Sequence, residues 1–244
     1  MRHIPNFITS LNLASGFISI IFIFNGDIII ASWLILAAMI FDFLDGFAAR
    51  ALKAYSDIGK ELDSLADVVS FGVAPGLIIY HLLHDATVPD NQIKYSITVF
   101  GYLIFLIIPA VMPVCAALRL AKFNIDTTQS TSFKGLPTPA NALAVISVVL
   151  GAYYSSSKLL AAFLASGESL IILSLSLSIL MVTRIPLLSL KFKGLNIKGN
   201  EGRYIMIILC AVMISVFGIG SIPWIIPVYI IVSLISPLFF FRTK

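Results

Sequence analysis

An all-α, polytopic membrane bundle of about eight helices, with both termini on the cytoplasmic side, is the fold this sequence predicts. Three observations lead there. Of its 244 residues 59% are hydrophobic and only 11% charged, with a mean hydropathy of +1.02, whereas a soluble domain carries roughly 25% charged residues. Apolar runs near 20 residues recur along the chain, the length a helix needs to cross about 30 Å of hydrocarbon. The basic residues also gather at alternate ends of those runs.

The first run, 5–24, follows Arg2 and lacks a small-residue cleavage site, so it reads as a retained span and not a signal peptide. Asn25-Gly26-Asp27 is turn chemistry, and 28–51 is the second span. Ser56 or Asp57 caps the third, 57–83, where Asp57 and Glu61 suit the helix dipole. Pro89-Asp90-Asn91 marks a loop before the fourth span, 94–122, which Pro109 and Pro113 should kink. Thr138-Pro139 opens the fifth, 139–157, because proline is tolerated in a first turn. Polar Tyr153 to Lys158 then interrupts the pattern before a short apolar piece. Spans at 167–190, 203–220 and 222–241 complete the set. The whole chain, 1–244, reads as a single membrane domain, with no stretch long enough for a separate soluble one. Cys115 and Cys210 fall inside spans, as packing thiols and not a disulfide.

With the N-terminus in the cytoplasm, the inner ends carry Arg2; Arg50, Lys53 and Lys60; Arg119, Lys122 and Lys134; Arg184, Lys191, Lys193, Lys198 and Arg203; Arg242 and Lys244. Only Lys94 and Lys158 fall outside, as the positive-inside rule requires. The formal net charge of +4 is then a topology signal and an attraction to anionic headgroups or substrates, not a nucleic-acid footprint.

Four aspartates stand out against this apolar background. The chain reads Asp42-Phe-Leu-Asp45-Gly46-Phe-Ala-Ala49-Arg50, then eight residues, then Gly59-Lys-Glu-Leu-Asp63-Ser-Leu-Ala-Asp67. Asp42, Asp45 and Ala49 share one helix face by spacing, as do Gly59, Asp63 and Asp67. A turn near Ala54 would bring the carboxylates to matching heights, with Gly59 opposite Ala49 so that the two helices approach closely. A helix-end reading accounts for Asp57 and Glu61. It accounts poorly for Asp42 and Asp67, each roughly 18 Å along a helix from the turn, where a lone aspartate facing lipid costs about 2.5–3.5 kcal/mol. Clustered carboxylates repel unless cations lie among them. The spacing suits one or two hard divalent ions with open positions for phosphate oxygens. Gly46 and Gly59 clear room for a bulky phosphate ligand, and Arg50 can neutralise its oxygens.

Other polar residues gather on the same side. Asn6, Thr9 and Asn12 recur every three residues on the first helix. Arg119, Lys122 and Asn124 end the fourth span, Lys134 precedes the fifth, and Arg184 lies in the sixth with Pro186 after it. Taken singly, such basic residues are most often snorkelling anchors; together they ring the mouth of the aspartate site. His3, His81 and His84 have no ligand spacing to the acids and read as interfacial.

The pattern Asp42-x-x-Asp45-Gly46-x-x-Ala49-Arg50-x(8)-Gly59-x-x-x-Asp63-x-x-x-Asp67 resembles the full signature of the CDP-alcohol phosphatidyltransferases, with all eight positions in agreement. The resemblance covers about residues 5–190 and leaves the helices at 203–241 as additions. A narrower resemblance, to the integral-membrane phosphatidylserine synthase branch, rests on three stretches. They are Asp63-Ser-Leu-Ala-Asp67-Val-Val-Ser70-Phe-Gly72-Val-Ala-Pro75, Leu118-Arg119-Leu-Ala-Lys122-Phe-Asn124 and Phe133-Lys134-Gly135-Leu136-Pro137-Thr138-Pro139.

The resemblance implies transfer of a phosphatidyl group from CDP-diacylglycerol to the hydroxyl of L-serine, with release of CMP, at the cytoplasmic face. It implies two Mg²⁺ or Mn²⁺ ions held by Asp42, Asp45 and Asp63, with Asp67 completing the metal site and acting as general base. Gly46, Ala49, Arg50 and Gly59 would line the donor pocket, approached by Asn6, Thr9 and Asn12. Arg119, Lys122, Asn124 and Lys134 would receive serine, whose carboxylate suits an arginine fork. A homodimer in the lipid bilayer is expected by the same analogy. Rival readings are another acceptor alcohol (glycerol 3-phosphate or inositol phosphate), an intramembrane prenyltransferase and a divalent-cation transporter. Prenyltransferases lack this Gly-Ala-Arg plus Gly-x-x-x-Asp arrangement, and a transporter leaves the symmetric glycines and the cationic ring unexplained.

Overall fold

The computed structural model describes residues 3–87, 99–125, 133–188 and 200–240. The loop at Pro89-Asp90-Asn91, the start of the predicted fourth span at 94–98, and Arg2, Lys94, Lys191, Lys193, Lys198, Arg242 and Lys244 lie outside the described residues.

Helix α1 (Ile4–Phe24) begins on Pro5 and ends at the Asn25-Gly26 turn, where Gly26 takes φ +83°. Helix α2 (Ile28–Ala51) returns alongside it. Ser56 caps α3 (Asp57–Asp67) by accepting from the Gly59 N–H at 3.0 Å, as the sequence predicted. The helix then changes hydrogen-bond pattern. Val68–Val73 is a π-helical turn, and α4 (Ala74–Thr87) continues from it. Helix α5 (Val99–Ile125) runs through both Pro109 and Pro113. Gly72 and Gly76 lie against those prolines: a Cβ added at Gly76 would sit 3.0 Å from the Pro109 carbonyl oxygen, and one at Gly72 3.2 Å from Pro113 Cα.

The rest differs from expectation in three places. First, the sixth predicted span ends at Val182, not near 190: α8 (Gly167–Val182) is followed by extended Thr183 (ψ 158°). Pro186 forces this, because it offers no N–H and pushes the residue before it out of helical geometry. Second, an antiparallel pair of two-residue strands, β1 (Phe133–Lys134) and β2 (Pro186–Leu187), interrupts the all-α plan. It ties the lead-in of α6 (Thr138–Ser155) to the end of α8, with Gly135 N–H donating to Ile185 and Leu136 N–H to Leu180. Third, the short apolar piece after Lys158 is its own helix, α7 (Lys158–Leu164), bent by 81° from α8.

Helices α9 (Glu201–Phe217) and α10 (Ile225–Phe240) join through a 3₁₀ turn, Gly218–Trp224. Among the described residues five helical stretches are long and apolar enough to cross a membrane, and six if α7 and α8 form one broken span. Helix α6 falls outside that number on composition, with polar Thr138, Asn141, Ser147 and Ser155 among its 18 residues. The α9–α10 stretch counts as one.

The core sits between α1, α2, the π turn, α4, α5, α6 and α8, around Ile35, Phe71, Ile78, Met112, Ile146, Leu170 and Met181. Large apolar side chains such as Phe17, Phe24, Trp33, Phe43 and Phe47 face outward, as lipid contact demands. Cys115 and Cys210 are both free. A close backbone approach brings α1 onto the π turn at Gly16, where an added Cβ would lie 2.8 Å from Ser70 Cα. Gly16→Ala is expected to destabilise the protein by about 1–3 kcal/mol through overpacking, seen as a lower midpoint of thermal unfolding in detergent. An unchanged midpoint would show that the two elements part easily.

Candidate metal and donor site

Helix α1 is the wall on which the site is built. Both α2 and α3 pack along it, and they meet each other far less. The expected pairing of Gly59 with Ala49 is therefore not what the small residues do. A Cβ at Gly59 would lie 2.8 Å from Asn6 Oδ1 and 2.9 Å from Ser56 Oγ, so this glycine admits α1. At Gly46 an added Cβ would meet only the Arg50 guanidinium, at 3.6 Å. Because each helix leans on α1, a cleft stays open between α2 and α3.

That cleft is a cavity of about 210 Å³ lined by Asn6, Thr9, Asp45, Gly46, Ala49, Arg50, Tyr55, Ser56, Gly59, Lys60 and Asp63, among others. Six of the seven predicted donor-pocket residues are there. The seventh, Asn12, lies apart: it is fully buried and donates from Nδ2 to Asp67 Oδ1 at 3.3 Å.

The carboxylates of Asp42, Asp63 and Asp67 each place an oxygen within 4.8 Å of the others. Asp45, the fourth predicted ligand, is not in this trio. It is buried on the cavity wall and accepts from Thr9 Oγ1 at 2.6 Å. Asp67 is held from two sides, by Asn12 on α1 and by Thr138 Oγ1 on α6, the latter donating to Oδ2 at 3.3 Å. Among the described residues no ion pair to lysine, arginine or histidine neutralises any of the four. Asp63 Oδ1 and Asn12 Oδ1 are buried with no hydrogen-bond partner. Buried carboxylates without a counter-charge are costly, and an oxygen-only donor set with orphaned lone pairs suits a hard divalent cation. The residues present fit the ion that the sequence implies.

Three of the four candidate serine residues, Arg119, Lys122 and Asn124, have described side chains, and their surroundings differ. Arg119 is buried on α5 and donates from Nη1 to the Met181 carbonyl at 3.3 Å. Lys122 is exposed. Asn124 donates to Ser64 Oγ at 2.9 Å, and its carbonyl accepts from Lys60 Nζ at 2.8 Å, which ties the end of α5 to α3. Lys134 is placed by its backbone in β1. Arg184 lies beyond α8 and is exposed, while His81 and His84 contact Asp85 at the far end of α4.

Sequence reasoning passed over Thr138, Ser70 and Asn141 as site residues. Ser70 Oγ donates to the Asn12 carbonyl at 3.0 Å, and Asn141 Nδ2 to the Phe71 carbonyl at 2.9 Å. Their signal was available: Thr138 and Asn141 lie three apart on an otherwise apolar helix, and Ser70 extends the face of Asp63 and Asp67.

The family model described as CDP-alcohol phosphatidyltransferase matches residues 2–185. The archaetidylserine synthase of Methanothermobacter thermautotrophicus is 36% identical over 173 residues, covering 70% of this chain and 67% of that protein. The CDP-diacylglycerol–serine O-phosphatidyltransferase of Helicobacter pylori strain 26695 is 32% identical over 240 residues, covering 96% of this chain and 91% of that protein. The enzyme of that name from Bacillus subtilis is 36% identical over 146 residues, covering 60% of this chain and 75% of its own.

Proposed function

Because this chain belongs to the CDP-alcohol phosphatidyltransferase family, we propose that it transfers the phosphatidyl group of CDP-diacylglycerol to the hydroxyl of L-serine, releasing CMP. The observation that carries this is the juxtaposition of three unneutralised carboxylates with a cavity lined by Gly46, Arg50, Gly59 and Lys60. Serine is common to the names of the three relatives above, which differ in the lipid they name.

Asp42, Asp63 and Asp67 would hold Mg²⁺ or Mn²⁺, and Asp45 would be the carboxylate available to a second ion. Bound there, the ions supply charge neutralisation for the pyrophosphate and for the departing CMP. The chain's own residues do the rest. Gly46 and Gly59 leave the cleft open for phosphate, and Arg50 meets its oxygens at the mouth. Asp67 takes the proton of the serine hydroxyl as it attacks the phosphorus. Phe43, Leu44 and Phe47, exposed on α2 beside the acids, give the acyl chains an apolar path into the bilayer. The positive-inside distribution supports a cytoplasmic mouth and an eight-span topology, and Arg119, buried near the end of α5, is the residue we assign first to the acceptor side, ahead of Lys122, Asn124 and Lys134.

The test is metal-dependent CMP release from CDP-diacylglycerol by purified protein with L-serine, glycerol 3-phosphate or myo-inositol phosphate. Release with serine alone, abolished by chelator, is expected. Release with another alcohol would overturn the acceptor assignment, and none with any acceptor would restore a transporter. On the same reading Arg119→Ala raises the KM for serine about tenfold, the loss of one hydrogen bond to a charged group, with the donor KM unchanged. A rise in the donor KM instead would move Arg119 to the other substrate.

A further inference from the structure

Asp67 belongs to a closed, buried ring of hydrogen bonds that joins three elements. Asn12 on α1 donates to its Oδ1 and Thr138 on α6 to its Oδ2. Ser70, in the π turn that starts one residue after Asp67, donates to the Asn12 carbonyl. Asn141, one turn beyond Thr138, donates to the Phe71 carbonyl in the same π turn. Thr138 is 2% exposed, and Asn12, Ser70 and Asn141 are 0% exposed.

Each carboxylate oxygen thus receives one donor from a different helix. Two such donors fix the plane of the carboxylate and leave the remaining lone pairs toward Asp42 and Asp63. Thr138 adds a second consideration. Its hydroxyl is buried and bonds to Asp67; valine would fill the same volume, so packing alone does not call for an oxygen here. Asn141 holds the π turn, and with it the backbone on which Asp67 sits, against the first turn of α6.

We propose that Thr138 is a positioning residue for Asp67, and that Asn141 supports it by clamping the π turn to α6. The inference rests on the metal site put forward above, and the metal-binding arm of its test needs neither substrate. Mn²⁺ binding to the full-length protein in detergent is measured by calorimetry, beside the thermal midpoint and the kinetics of CMP release. Thr138→Val is expected to weaken Mn²⁺ binding and lower kcat, each by about 10–100-fold, the usual effect of removing the partner of a metal-bound carboxylate. The KM for both substrates and the thermal midpoint should hold, and Thr138→Ser should restore both losses. Asn141→Leu should reproduce the pattern and serves as the second variant should Thr138→Val fail to fold.

Unchanged Mn²⁺ affinity and kcat in Thr138→Val, or no recovery with serine at 138, would overturn the proposal. If the protein transfers to no acceptor yet loses Mn²⁺ with valine and regains it with serine, the proposed reaction fails and the positioning role stands.

Discussion

Asp67→Asn is expected to abolish CMP release, by about 10²–10⁴-fold, the usual contribution of a positioned proton acceptor. The amide keeps the size of the carboxylate and one oxygen for a cation, but it cannot take a proton. Asp67 does not line the cavity between α2 and α3, so binding of CDP-diacylglycerol should survive. The pair of measurements, single-turnover CMP release and equilibrium donor binding, separates two roles. Loss of both would make Asp67 a structural ligand and place the base elsewhere. Loss of release with binding intact is the result the geometry predicts.

The second large effect joins metal removal to stability. Chelation should bring transfer to background, and Asp63→Asn should do the same. Their stability effects run in opposite directions. With oxygens within 4.8 Å, two ionised carboxylates repel by about 3.5 kcal/mol at an effective dielectric near 20. In the presence of chelator, Asp63→Asn removes part of that repulsion and should unfold at a higher temperature than the unmodified protein. In saturating Mn²⁺ the order should reverse, because an ion at about a thousand times its Kd adds roughly 4.1 kcal/mol to whichever form binds it, more than the repulsion that the substitution relieves. Thermal unfolding in detergent under both conditions reads this directly. A mutant that is less stable in chelator as well would mean that the carboxylates are not in conflict, and the cation would lose its physical motive.

Much of this was legible in the chain because two signals are local and strong. Apolar runs gave α1, α2 and the helical stretch from Asp57 nearly to the residue. The aspartate spacing gave four carboxylates as one group, of which Asp42, Asp63 and Asp67 come together while Asp45 bonds to Thr9 on the cavity wall, and the cleft between α2 and α3 collected Asn6, Thr9, Gly46, Ala49, Arg50 and Gly59. What escaped is what depends on a third element. Periodicity within a hairpin shows two helices; nothing in it shows that α1 intervenes, so Gly59 was matched with Ala49 when its neighbour is Asn6. Asn12 shares the spacing of Asn6 and Thr9, but one further turn along α1 carries it past the cleft to Asp67. Thr138 reaches the same carboxylate from a point 71 residues downstream; its spacing to Asn141 marks a polar face on α6 but not the carboxylate that face meets. The end of α8 was overrun because apolar Leu187 and Leu188 continue the hydropathy beyond Pro186, which stops the helix on backbone grounds.

The π turn at Val68–Val73 has a consequence for how this protein can change. An α-helix advances about 100° per residue, and a π turn, with its i→i+5 bonds, resets that phase. Upstream of it the helix is phased for carboxylates, with Asp63 and Asp67 toward α1. Downstream it is phased for burial, with Ala74, Ile78, Ile79 and Leu83 inward. Substitutions that restyle the lower face can therefore accumulate without rotating the aspartates, and the acidic half can be retuned without unpacking the bundle. Deleting a single residue from the turn would end that independence: either the carboxylates or the core face would have to swing away. The irregular turn acts as a clutch between chemistry and burial, letting one helix answer to two selective demands separately.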